Sequence, residues 1–178
     1  MTALSLFELD ILNALQALRN PVFDIIAKAL DILAARGEIF IFLTALLLIF
    51  PRTRKVGAAC ALALILDYVF LNLTIKPWVA RIRPYDLDPG IKLITDPPHD
   101  YSFPSGHTGV AFAFASGVSP LGKKAHTMAL IFACIMGFSR LYLRVHYPTD
   151  VLAGALVGTL SGLLSLFFWK KRLKGDII

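Results

Sequence analysis

Three segments of the 178-residue chain carry residues that could do chemistry, and each lies beside an apolar run. They are Lys76–Pro84, Pro104–His107 and Ser139–Asp150. Together they supply a lysine, several arginines, two histidines and one aspartate at the ends of apolar runs. Cations beside a histidine–carboxylate pair and a second histidine predict an anion site next to a nucleophile and a general acid.

The basic residues of these segments suit a tetrahedral anion. Arg83 and Arg140 can each donate a fork of hydrogen bonds to a phosphoryl group, and Lys76 adds a point charge. A single basic residue at the end of a membrane span is ordinarily an anchor that reaches to the interface. Three of them beside two histidines favour the anion site over anchors.

Ser105 and Gly106 stand where an apolar helix is predicted to begin. Free N–H groups and the positive end of the helix dipole bind an oxyanion there, and glycine allows the backbone to approach it closely. A plain serine cap followed by a glycine explains the same two residues, so both interpretations stay open.

His146 and Asp150 are four residues apart around Pro148, which suits the first turn of a helix. The carboxylate of Asp150 could hold one ring nitrogen of His146 and leave the other free to attack phosphorus. His107, from a different segment, could then protonate the leaving oxygen.

A metal site is a weaker explanation of the same residues. His99, His107 and His146 could be combined with Asp100 or Asp150, but the chain has no His-x-x-x-His pair and no cysteine nearby. An excess of arginine would also repel a cation. We therefore expect neither a metal nor another cofactor, and we assign no role to His99 and His126.

The composition indicates a membrane protein. Hydrophobic residues make up 57% of the chain and charged residues 17%, and the mean hydropathy is +0.69. Soluble domains carry about a quarter charged residues. The net charge of +6 does not indicate a nucleic-acid partner, because the basic residues form short clusters between apolar runs. The predicted fold class is an all-α, polytopic membrane helical bundle.

Six apolar segments are predicted to cross the membrane, and a span needs about 20 residues. The least apolar one begins at the Asn20-Pro21 cap, and Arg36–Glu38 is predicted to turn the chain into the next. The six segments are 21–35, 39–50, 56–75, 105–119, 125–138 and 151–169. Residues 20–178 would thus form the core, while residues 1–19 form an amphipathic helix at the membrane interface or packed on the bundle.

The orientation follows from lysine and arginine in short loops. Nine of the 18 basic residues fall on one side if the spans alternate, which predicts that this side and both termini are cytoplasmic. They are Arg52, Arg54, Lys55, Lys123, Lys124, Lys170, Lys171, Arg172 and Lys174. The three chemical segments would then face the extracytoplasmic side of the cell membrane. If the first two spans are one, only the N-terminus changes sides.

The three segments resemble the signature of the type-2 phosphatidic acid phosphatase superfamily. They match K-x6-R-P, P-S-G-H and S-R-x5-H-x3-D in order. The resemblance implies a metal-independent phosphatase in which His146 forms a phosphohistidine, Asp150 orients it and His107 protonates the leaving group. It also implies that the phosphate is held by Lys76, Arg83, Ser105, Gly106 and Arg140, with support from Ser139. Arg81 and Arg144 occupy variable positions, where a role at the pocket entrance is a guess.

The resemblance further implies a lipid phosphate as substrate. With almost no chain outside the predicted spans, undecaprenyl pyrophosphate is favoured over phosphatidylglycerophosphate and the 1-phosphate of lipid A. Two other classes share such a pocket: a vanadate-dependent haloperoxidase, whose known members are soluble and larger, and a non-catalytic lipid-phosphate binder or transporter. The latter would need neither His107 nor His146.

Overall fold

The computed structural model describes residues 3–88 and 90–173, except for the side chains of Ala3 and of residues 171–173. The described part is helical and has no strands, so the predicted all-α class is confirmed. Lys174 and the side chains of Lys171 and Arg172 lie outside the described part. The α-helices are α1 (Ala3–Leu15), α2 (Pro21–Leu33), α3 (Glu38–Ile49), α4 (Arg54–Asp67), α5 (Lys76–Val79), α6 (Pro84–Leu87), α7 (Gly106–Gly117), α8 (Lys123–Tyr142) and α9 (Pro148–Leu173).

Three helical stretches are long and apolar enough to cross a membrane. They are Arg54–Leu87, Lys123–Tyr142 and Pro148–Lys170. The number rises to four if α2 and α3, which are bent by 57° relative to one another, form one span. Helices of 12 or 13 residues such as α2, α3 and α7 are about 18–20 Å long, short of the roughly 30 Å hydrocarbon layer. The protein is thus a membrane protein, but the predicted six spans are not all found.

Helix α2 starts as predicted, since Asn20 Oδ1 accepts hydrogen bonds from Val22 N and Phe23 N before Pro21. It does not cross the bundle. Asp24 accepts a 2.7 Å bond from the Tyr142 hydroxyl at the end of α8. Beyond the other end of α2, a Cβ on Gly37 would lie 3.3 Å from Val110, one turn into α7.

Both ends of α2 therefore lie at the end of the bundle where α7 starts and α8 finishes. A separate crossing by residues 21–35 is not confirmed, since Asp24 and Asp31 contact polar partners at that end, Tyr142 and Arg140. Of α2 and α3, only α3 reaches the opposite end of the bundle. Phe50 and Leu121 line an apolar cavity of about 400 Å³ there.

Helices α7 and α9 are packed backbone against backbone. A Cβ at Gly154 would lie 2.5 Å from the Ser105 carbonyl oxygen, and one at Gly158 would lie 2.1 Å from that of Gly109. Glycines spaced by four residues let two membrane helices approach this closely. Because the contact begins beside Ser105, it fixes the Pro104–His107 segment against the first turn of α9.

Helix α1 packs on the same end of the bundle. Glu8 and Leu12 are buried, whereas Phe7 on another face is 63% exposed. Glu8 accepts bonds from Thr149 at the start of α9, so α1 is docked on the bundle and presents apolar side chains outward. The N-terminal helix therefore shares the end of the bundle that carries the chemical segments. The expectation that both termini lie opposite those segments is not confirmed for the N-terminal side, since α1 lies at the same end of the bundle as they do.

Candidate active site

The three chemical segments meet at one end of the bundle. Lys76–Pro84 follows the wide π-helical stretch Tyr68–Ile75 that extends α4. Pro104–His107 leads into α7, and Ser139–Asp150 joins α8 to α9. Of the two histidines without an assigned role, His99 is exposed and directly precedes Asp100 in the chain. Nδ1 of His126 is 2.9 Å from the Ala115 carbonyl oxygen, away from the site.

His146 lies between an acid and a guanidinium. Its ring is 2% exposed, with Nδ1 3.4 Å from Asp150 Oδ2 and Nε2 3.4 Å from Nη1 of Arg83. A guanidinium only donates, so a hydrogen bond from Arg83 requires the tautomer with Nε2 unprotonated, which puts the ring proton on Nδ1, the nitrogen that faces Asp150. Burial, reinforced by Arg83 and Lys76, lowers the pKa of His146 to about 4 against the opposing effect of Asp150. The ring is therefore neutral at pH 7, with one unprotonated nitrogen.

Asp150 is fully buried and held by donors from several elements. Oδ2 accepts bonds from the Ser102 hydroxyl at 2.5 Å and the Tyr147 N–H at 2.9 Å, and Oδ1 accepts a 2.6 Å bond from Arg81. These contacts fix the carboxylate beside His146. They also leave it ionised, since every one of them favours the charged form.

Arg83 and Lys76 both contact the carboxylate of Asp100, a residue that the sequence suggested only as a possible metal ligand. Both side chains are buried, and both donate to Asp100, Arg83 through a 2.5 Å bond to Oδ1. Burial tends to raise the pKa of Asp100, but Lys76 and Arg83 outweigh it and lower that pKa to about 2. Asp100 is thus charged at any working pH and competes with a bound anion for the two cations.

Arg140 has a similar partner on α2. It donates to Asp31, while Ser139 Oγ accepts from its Nε at 3.1 Å and its Nη2 at 2.9 Å. His107 Nε2 lies 3.8 Å from the same Asp31 oxygen that Arg140 contacts. Ser139 therefore orients the Arg140 guanidinium, and Asp31 brings Arg140 and His107 together.

The start of α7 favours one of the two interpretations of Ser105 and Gly106. Ser105 is buried, but its hydroxyl caps no backbone N–H and instead accepts a 3.0 Å bond from Thr108. A Cβ at Gly106 would lie 3.9 Å from Lys76 Nζ. The start of α7 therefore has no side-chain cap and lies beside a lysine, which suits an oxyanion site.

Several site residues had no recognisable signal in the sequence. Asp31, Asp100 and Ser102 each lie far along the chain from the residues they contact. Arg81 lies not at a pocket entrance but against Asp150, and Arg144 donates a 2.5 Å bond to Asn13 on α1. Among the described residues, no three histidine, cysteine or acidic side chains are close enough to hold a metal ion.

Comparisons with known proteins point in one direction. Residues 52–174 match the PAP2 superfamily. An undecaprenyl-diphosphatase of Sulfolobus acidocaldarius is 36% identical over 135 residues, which are 74% of this chain and 64% of that relative. The chain thus spans less than two thirds of that relative's length.

Two solved structures have the same fold. The crystal structure of Aquifex aeolicus LpxE is 30% identical with a TM-score of 0.80, covering 89% of this chain and 94% of its own. A PAP2-type phosphatidylglycerolphosphate phosphatase from Bacillus subtilis is 25% identical with a TM-score of 0.74, covering 96% and 88%. Both similarities cover more of the chain than residues 52–174, which match the superfamily.

Proposed function

Because the chain belongs to the PAP2 superfamily, we propose that it is a metal-independent lipid phosphatase working through a phosphohistidine. One observation carries the proposal: His146 has Asp150 at one ring nitrogen and the Arg83 guanidinium at the other. This arrangement places a neutral nucleophile beside an anion-binding group and an orienting carboxylate.

In the first step, separate groups of residues bind the phosphate, attack phosphorus and protonate the leaving group. Lys76, Arg83 and Arg140, together with the N–H groups at Gly106, bind the phosphoryl oxygens. Nε2 of His146 attacks the terminal phosphorus while its bond to the leaving oxygen breaks, and that oxygen takes a proton from His107. The leaving oxygen is the bridging oxygen of a pyrophosphate, which departs with the lipid monophosphate, or the ester oxygen of a lipid monophosphate. Asp150 stabilises the positive charge that develops on the His146 ring.

The second step restores the enzyme. Water attacks the phosphohistidine, His107 accepts a proton from that water, and the bond between phosphorus and Nε2 breaks. Inorganic phosphate leaves, and His146 is again neutral with its proton on Nδ1. Every proton is exchanged between water, the two histidines and the leaving group, so the cycle needs no co-reactant.

Undecaprenyl pyrophosphate is the substrate that we propose first. The relative from Sulfolobus acidocaldarius is named for that activity, whereas the Bacillus subtilis structure is named for phosphatidylglycerolphosphate. The test is phosphate release by detergent-purified protein from undecaprenyl pyrophosphate, phosphatidylglycerophosphate and lipid A, each with and without EDTA. We expect the fastest release from the first, unchanged by EDTA and inhibited by orthovanadate. Release that required a divalent cation would contradict the mechanism, and preference for another lipid would change the substrate.

We also propose that the site faces the extracytoplasmic side and that α3, α4 with its π-helical extension, α7, α8 and α9 cross the membrane. With these five crossings the basic clusters at Arg52–Lys55 and Lys123–Lys124 fall on the side opposite the site, as charge bias requires. Short α7 can cross because it is enclosed by other helices. To test this, single cysteines are placed at Asp88 and Lys123 after removal of Cys60 and Cys134. An impermeant thiol reagent on intact cells should label position 88 and not position 123; the reverse pattern would overturn the orientation.

A further inference from the structure

We propose that Glu8 and Arg81 are positioning residues that hold the Asp150 carboxylate in place for His146. The inference rests on the proposed function, because it concerns the orientation of the nucleophile. Neither residue belongs to the signature positions, and Glu8 lies on α1, outside the residues that match the superfamily. The docked N-terminal helix would then be a working part of the active site.

Arg81 bridges two buried carboxylates. Its Nη1 donates to Asp150 Oδ1 at 2.6 Å, and its Nη2 donates to Glu8 Oε2 at 2.5 Å. The guanidinium also lies over the ring of Tyr147, 3.8 Å from the ring centroid. The guanidinium is planar, and it is held by one carboxylate at each terminal nitrogen and by the aromatic ring below it. These contacts fix its orientation, and the fixed guanidinium in turn orients the Asp150 carboxylate.

Glu8 fixes the arrangement from the other side. It is 1% exposed, and its second oxygen accepts bonds from Thr149 N at 2.8 Å and Thr149 Oγ1 at 2.6 Å. Thr149 directly precedes Asp150, so Glu8 holds both Arg81 and the backbone next to the acid. The charges alternate along Glu8, Arg81 and Asp150, so removing the outer carboxylate leaves Arg81 free to turn away from Asp150.

A helix anchor with no influence on the reaction is the alternative explanation. Asn13 provides the matched control, since it also joins α1 to the α8–α9 connection, through Arg144, but has no contact with Asp150. A double-mutant cycle of Glu8→Gln with Asp150→Asn separates the two explanations. An effect exerted through Asp150 disappears in the Asp150→Asn background, whereas general loosening of the fold persists there.

The experiment measures kcat and KM for phosphate release by full-length protein in detergent, with the best substrate of the lipid panel. We expect Glu8→Gln to lower kcat by about tenfold or more, because a small misplacement of a catalytic group can cost about a hundredfold. KM should change less than twofold, and Glu8→Gln should have no further effect in the Asp150→Asn background. Asn13→Ala should keep kcat within twofold of wild type.

Equal losses in both backgrounds, or no loss in either, would overturn the inference. If Glu8→Gln fails to fold, Arg81→Lys replaces it in the same cycle, since lysine keeps the charge but reaches one carboxylate at most. Wild-type protein that releases no phosphate from any lipid would contradict the proposed function instead. Active wild type with an unaffected Glu8→Gln variant would contradict this inference alone.

Discussion

Nη1 of Arg83 lies 3.4 Å from Nε2 of His146, although the two residues are 63 positions apart in the chain. The same nitrogen of Arg83 donates a 2.6 Å bond to the carbonyl oxygen of Val145, the residue before the histidine. Arg83 therefore holds the backbone beside the proposed nucleophile as well as offering its charge to an anion. A phosphoryl group bound by Arg83 would lie within reach of the attacking nitrogen.

We expect His146→Ala to reduce turnover by several orders of magnitude while the protein still folds in detergent, because a covalent nucleophile is lost. A substrate labelled in the transferred phosphate should leave an acid-labile, base-stable label on wild type after rapid quenching, and none on the variant. Exposed His99→Ala is the matched control and should keep full activity. Turnover of His146→Ala within about tenfold of wild type would exclude the nucleophile assignment.

The pKa of His146 should be found near 4 rather than 6.5, because burial and the neighbouring Arg83 disfavour the charged ring. NMR titration of isotope-labelled histidines, assigned with His146→Asn, measures it directly. Since folding lowers this pKa, its contribution to stability is complete above pH 6.5 and declines as the pH falls toward 4. In Asp150→Asn the pKa should fall further. A ring that titrates near 6.5 would show that it is not held in the proposed environment.

Arg83→Lys and Arg140→Lys should each lower kcat/KM by about 10–100-fold although the charge is kept, because lysine cannot reproduce the guanidinium fork. Arg83→Lys should also lower the melting temperature, since Arg83 donates to Asp100 and Val145 from one buried side chain. Exposed Arg52→Lys, at the other end of the bundle, is the control. Near-normal kcat/KM in both variants would mean that these arginines are interface anchors.

Adding one methyl group at Gly158 should destabilise the protein. Gly158→Ala would place a Cβ 2.1 Å from the Gly109 carbonyl oxygen, too close for both atoms, so α7 and α9 must separate. Overpacking of this kind costs about 1–3 kcal/mol or more. Thermal unfolding in detergent measures the loss. Leu156→Ala, also on α9 but at a residue that is 61% exposed, provides the comparison. Equal melting temperatures for the two variants would argue against a tight α7–α9 contact.

The sequence identified the signature side chains because each segment carries several chemical groups at short, fixed spacing. His146 and Asp150 are recognisable as a pair since one helical turn separates them. The Asn20-Pro21 helix start was equally readable, because the cap depends on three neighbouring residues. The roles of these side chains in catalysis stay predictions until the variants are measured.

The partners of the signature residues could not be predicted in the same way. Asp31 lies 109 positions from Arg140, and no spacing rule relates two residues so far apart. The path of α2 was missed for a related reason. Apolar composition says that a helix is buried in lipid or protein, but tertiary contacts decide whether it crosses or lies along one end of the bundle.

The position of Glu8 and Asp31 has a consequence for exchanging parts between relatives. Residues 52–174 contain every signature side chain, yet two of their arginines pair with carboxylates upstream of that range. Arg81 pairs with Glu8 on α1, and Arg140 pairs with Asp31 on α2. A chimera with only residues 52–174 behind a foreign N-terminal segment would lack Asp31, the carboxylate partner of Arg140. Arg81 would keep Asp150 but lose Glu8. Residues 52–174 therefore do not carry all partners of the proposed site, and a working chimera would need α1 and α2 of the same protein as well.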